Sequence, residues 1–101
     1  MMRTYVTHKR FLERLEERLR KSGVECRLAS VVLERVGGQM VRMGLLTPDM
    51  TSPVGWARLR RGDDGCYVGV LSGYGFRVPI RVDGGYLGEL LRCGLPGGSR
   101  E

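Results

Sequence analysis

Histidine occurs once in this sequence, at His8, and lysine only twice, at Lys9 and Lys21. Tryptophan also occurs once, at Trp56. The cysteines, Cys26, Cys66 and Cys93, are odd in number, far apart and without a C-x-x-C pair. A structural zinc site takes four Cys or His ligands, usually in close pairs, and the few such residues here are scattered. A metal site is therefore not expected. Nor is a disulfide framework; the thiols should be reduced and buried. No run of 18 apolar residues is present to span a bilayer as a helix. The start, Met1-Met2-Arg3-Thr4-Tyr5, lacks the apolar stretch of a signal peptide. The expectation is a cytoplasmic chain with no cofactor and no membrane contact.

Catalytic patterns are missing too. There is no P-loop, no H-E-x-x-H and no G-x-S-x-G. A nucleophile needs a base oriented by a third group, and His8 is the only imidazole. It falls on the apolar arc of a predicted helix, which suits packing or capping. Asp63 and Asp64 sit in a predicted turn, where carboxylates stay in water and lack the burial that raises a catalytic pKa. Arg61-Gly62-Asp63 spells a cell-adhesion tripeptide, but turn chemistry accounts for it. No enzyme is expected.

What the sequence does have is arginine. Of 17 basic residues 15 are Arg, and the formal net charge is +6. Arg makes forked contacts to phosphate and carboxylate and stacks on flat rings. The balance favours nucleic acid or an acidic protein surface as partner. At 101 residues with 42% hydrophobic content, the chain should form one small domain over 1–93. A flexible tail is expected over 94–101, and the proline-containing segment 47–55 reads as an internal hinge.

The clearest element is a helix over 8–22, capped by Thr7 and ended by Gly23. Phe11, Leu12, Leu15 and Leu19 share one arc, and Arg10, Arg14, Arg18 and Lys21 line a neighbouring stripe. Glu16–Arg20 and Glu17–Lys21 are favourable i,i+4 pairs. The middle, 24–46, is ambiguous. Gly37-Gly38 between apolar runs is a hairpin signal, whereas Leu, Glu, Arg, Gln and Met favour helix. The reading adopted is two short helices, 29–36 and 39–45. From Trp56 the period changes to two, giving a three-stranded meander over 56–61, 66–71 and 76–82. Pro79 cannot donate to a ladder, so the third strand belongs at an edge or carries a bulge. A short helix over 86–92 closes the chain. The expected fold is α+β: a long N-terminal helix and a short helical middle segment on a three-stranded antiparallel meander.

Gly73-Tyr74-Gly75-Phe76 resembles the middle of the RNP1 motif of RNA-recognition and cold-shock domains, whose aromatics stack on bases. Ser72, Arg77 and Pro79 depart from that motif, and the chain is assigned to no family on it. The strand 76–82 is more informative. Phe76, Val78, Ile80 and Val82 point one way, leaving Arg77 and Arg81 on the other face, where Trp56, Arg58, Arg60 and Tyr67 are expected to join them. Arginines interleaved with rings suit single-stranded nucleic acid, because rings stack on bases while guanidinium groups hold phosphates. The candidate nucleic-acid contacts are Arg10, Arg14, Arg18, Trp56, Arg58, Arg60, Tyr67, Tyr74, Arg77 and Arg81. The expected function is a small basic nucleic-acid-binding protein, a regulator or ribonucleoprotein component. The alternative is a non-catalytic protein-interaction module, with Met40, Met43 and Met50 as an adaptable apolar contact.

Overall fold

A computed structural model describes residues 3–49, 52–93 and 95–96 of the chain. The elements are β1 (Arg3–Val6), α1 (Lys9–Lys21), β2 (Ser30–Arg35), β3 (Met40–Leu46), β4 (Gly55–Arg61), β5 (Tyr67–Gly73), β6 (Phe76–Val82), α2 (Gly84–Cys93) and β7 (Leu95–Pro96). Strands β6-β5-β4-β3-β2-β1 form one antiparallel sheet in that order, and the two-residue β7 extends it beyond β1. The three-stranded meander with a helical middle is thus overturned. The meander runs on through β3 and β2, and β1 joins it from the N-terminal side.

The segment read as two helices is the β2–β3 hairpin. Gly37 and Gly38 lie in its turn, and the Val36 N–H donates to the Met40 carbonyl at 3.0 Å. Local propensity lost to cross-strand pairing here. Val31, Val32, Leu33 and Glu34 are all buried, so β2 hides its alternation. In β3 the alternation is plain: Val41, Met43 and Leu45 are buried on one face, and Met40, Arg42 and Leu46 are only half-buried on the other.

Helix α1 buries Phe11, Leu12, Leu15 and Leu19, each worth about 1.5–3 kcal/mol of apolar transfer. Its cap is His8 rather than Thr7, and no side chain bonds the first turn. His8 is exposed, off the apolar arc assigned to it. The far end is a Schellman turn, with Val24 N–H on Leu19 O at 2.9 Å and Gly23 N–H on Arg20 O at 3.0 Å. Gly23 adopts φ +89, a left-handed conformation that costs glycine little. Glu17 pairs with Lys21 at 3.9 Å as expected, whereas Glu16 accepts the Leu28 N–H at 2.8 Å and ties the following loop to the helix.

Both helices cover the same face of the sheet. Their buried residues, including Leu87 and Leu90 of α2, form one cluster with Val6, Val31, Leu33, Val41, Met43, Leu45, Ala57, Leu59, Tyr67, Leu71, Val78, Ile80 and Val82. Asp83 starts α2 by accepting the Tyr86 N–H at 3.0 Å. Within the expected tail, Leu95–Pro96 pair with β1. Gly94 and residues 97–101 lie outside the described residues, as does Met50. No helix among the described residues is long and apolar enough to cross a membrane.

An arginine-rich open sheet face as the candidate functional site

With both helices on one side, the alternate residues of every strand face the other way, where no described element covers them. The register arranges them in rows across the sheet. One row runs Tyr5, Val32, Gly44, Trp56, Ser72, Arg77. The next holds Arg3, Glu34, Arg42 and Arg58, with Val70 opposite Pro79 further along. A third contains Met40, Arg60, Val68 and Arg81. The strand residues of this face thus include six arginines and a single acid, Glu34.

Glu34 is only 1% exposed, although its face is open. It is buried under its partners. Arg3 forms an ion pair with it and donates from Nε to Oε2 at 2.6 Å, and Arg42 donates from Nη1 to Oε1 at 3.4 Å. The neighbouring Tyr5 side chain, and then the Glu34 carboxylate, raise the Arg3 pKa above its usual value. The Arg42 guanidinium also lies 4.4 Å from the Trp56 ring centroid, a cation–π contact. The Trp56 ring also rests close to Gly44: a Cβ added there would stand 2.9 Å from Trp56 Cζ3. Trp56 thus packs beside Gly44 and under the Arg42 guanidinium, and it stays half-buried.

The expected site residues fall in four places. Trp56, Arg58, Arg60, Arg77 and Arg81 share the open face. Arg81 donates to Asp64 Oδ2 at 2.8 Å and to Cys66 Sγ at 3.4 Å. The Cys66 contact, followed by the Asp64 charge, raises the Arg81 pKa. Arg10, Arg14 and Arg18 stand on α1, across the sheet from that face. Arg18 spends its fork on the Pro79 carbonyl. Tyr67 faces the helices and is buried, opposite Val82, so it offers no ring to a ligand. Tyr74 sits fully exposed at the tip of the β5–β6 turn and rims a cleft of about 590 Å³ lined also by Cys26, Val54, Trp56 and Phe76.

Arg3, Tyr5, Glu34 and Arg42 were absent from the expected set. The alternation of Val41, Met43 and Leu45 about Arg42 and Gly44 was the signal that would have placed Arg42 beside Trp56. Among the described residues no group of three His, Cys, Asp or Glu could hold a metal ion. The chain matches no protein-family model, no curated protein and no solved structure.

Proposed function

We propose that this chain binds single-stranded nucleic acid across its open sheet face. The observation that carries the reading is the excess of arginine there, six against one buried glutamate already held between two of them. Such a face repels a second copy of itself and attracts a polyanion. Arg42, Arg58, Arg60 and Arg77 would contact phosphates, with Arg81 partly engaged by Asp64. Bases would stack on the Arg42–Trp56 pair and on Tyr74; only unpaired bases present a free face for this. No catalytic role is assigned: His8 stands exposed at the start of α1, outside the strand rows of the arginine face. Free Cys26 and Cys66 suit a reducing, cytoplasmic setting.

Salt titration of oligonucleotide binding tests the reading. Neutralising about four phosphates on a single strand gives a log–log slope of roughly −3, and single strands should bind more tightly than duplex. Absence of binding at about 50 mM salt, where electrostatic association is strongest, defeats it. A second reading, docking of an acidic protein on the same face, is favoured by Val68 and Val70, which are 45% and 41% exposed between the arginines. A pulldown with and without nuclease separates the two, because a nucleic-acid bridge disappears on digestion.

A further inference from the structure

We propose that Arg42 and Arg58 together form the primary phosphate subsite of the open face; the proposal rests on reading that face as a nucleic-acid surface. Arg42 and Arg58 are directly opposed on neighbouring strands β3 and β4. Side chains so placed have Cβ atoms about 4.5–5.5 Å apart, and like charges in that position destabilise a sheet. Elsewhere on the face the fold relieves such repulsion. Glu34 stands between Arg3 and Arg42, and Asp64 meets Arg81. Between Arg42 and Arg58 there is no acid. Both Glu34 oxygens are already engaged, and Arg58 has no ion-pair or hydrogen-bond partner among the described residues. Arg60, two residues along β4 on the same face, adds a further positive charge.

Arg42 is also the better ordered of the pair. Glu34 holds it from one side and the Trp56 ring supports its guanidinium from below. The Arg42 side chain remains 38% exposed, so it can take a base while Arg58 opposite takes the phosphate joined to it. Two forked donors converging on one anion provide more contacts than either could alone. The occupant is a phosphodiester group of a single strand, with its base lying flat on Arg42. A paired base has no face to offer there.

Trp56 is the sole tryptophan and lies under Arg42, so intrinsic fluorescence reports occupancy of this subsite directly. The experiment titrates oligothymidylate into the wild-type chain and into Arg58→Gln, Arg58→Lys and Arg14→Gln at several salt concentrations. Thermal melts of each free protein accompany it. Binding to the wild type should change Trp56 fluorescence. Arg58→Gln should weaken binding about tenfold and flatten the log–log slope by about 0.7, the contribution of one phosphate on a single strand. Arg58→Lys should fall between, since it keeps the charge and loses the fork. Arg14→Gln, on the far side of the sheet, should bind as the wild type does. Without ligand, Arg58→Gln should melt higher than the wild type, because a like-charge pair has been removed. Wild-type binding that Arg58→Gln leaves unchanged in affinity and slope overturns the subsite while leaving the face reading intact. No oligothymidylate binding by the wild type overturns the face reading itself. Tighter binding of oligoglutamate than of an oligothymidylate of equal charge overturns phosphate as the occupant.

Discussion

Arg18 reaches from α1 to the Pro79 carbonyl on β6, with Nε at 3.2 Å and Nη2 at 3.0 Å. β6 is an edge strand of the sheet, and Pro79 lies at its middle. Edge strands template unwanted pairing through their free N–H and C=O groups. Here the proline has no N–H to give, and its carbonyl is occupied by a guanidinium. The double substitution Arg18→Ala and Pro79→Val should therefore open a continuous edge. Concentration-dependent self-association is expected, read by light scattering, with single substitutions weaker than the pair. A double variant that stays monomeric at the highest concentrations reached by the wild type would show that the edge is protected otherwise.

Glu34 organises the arginines around it. Glu34→Gln keeps the shape and one acceptor but removes the charge. It should lower stability by about 1.5–3 kcal/mol, the range for hydrogen bonds to charged groups. Loss of its hold on Arg42 should also alter Trp56 emission. A double-mutant cycle with Arg42→Gln should be non-additive, because the two side chains share a contact. Additive losses and an unshifted emission spectrum would mean that Glu34 does not position Arg42.

Some of this was legible in the residues. The spacing of Phe11, Leu12, Leu15 and Leu19 marked α1, and Gly23 marked its end. The alternation from Phe76 to Val82 gave β6 and set Arg77 and Arg81 on one face, with Trp56, Arg58 and Arg60 following from their pairing sense. Two things hid the rest. β2 is buried on both faces, Glu34 included, so its apolar run carries no period of two. β1 is only four residues long, and its pairing with β2 spans the whole of α1, beyond any local pattern. Without those strands Arg3, Arg42 and Glu34 could not be placed beside Trp56. Tyr67 was misassigned by one face, the outcome of shifting a period-two pattern by one residue.

Gly44 is required by the ring that crosses it. An added Cβ would meet Trp56 Cζ3 at 2.9 Å and Val32 Cγ1 at 3.0 Å. Gly44→Ala should destabilise by about 1–3 kcal/mol, the usual cost of overpacking. It should also lift the indole and disturb the Arg42 stack, so oligonucleotide affinity should fall with it. Combining Gly44→Ala with Trp56→Leu should recover most of the lost stability, since the leucine vacates the space over position 44. Equal melting temperatures for Gly44→Ala and wild type would show that the ring moves aside freely.

Cys26 makes stability depend on alkaline pH. Burial, and then the nearby Glu16 carboxylate, push its thiol pKa up in the folded chain. In the unfolded chain the thiol ionises near its ordinary value of about 8.5. Between the two values the folded state holds a proton that the unfolded state has released, so stability falls as pH rises. Below the ordinary thiol range this contribution is fully present; it is lost progressively up to the raised folded value. Melting temperatures measured from about pH 7 to pH 10 should decline for the wild type and decline less for Cys26→Ala. Other groups that ionise in this range are common to both proteins, so the difference isolates Cys26. Parallel pH profiles would sink the assignment and place the thiol in an environment no different from water.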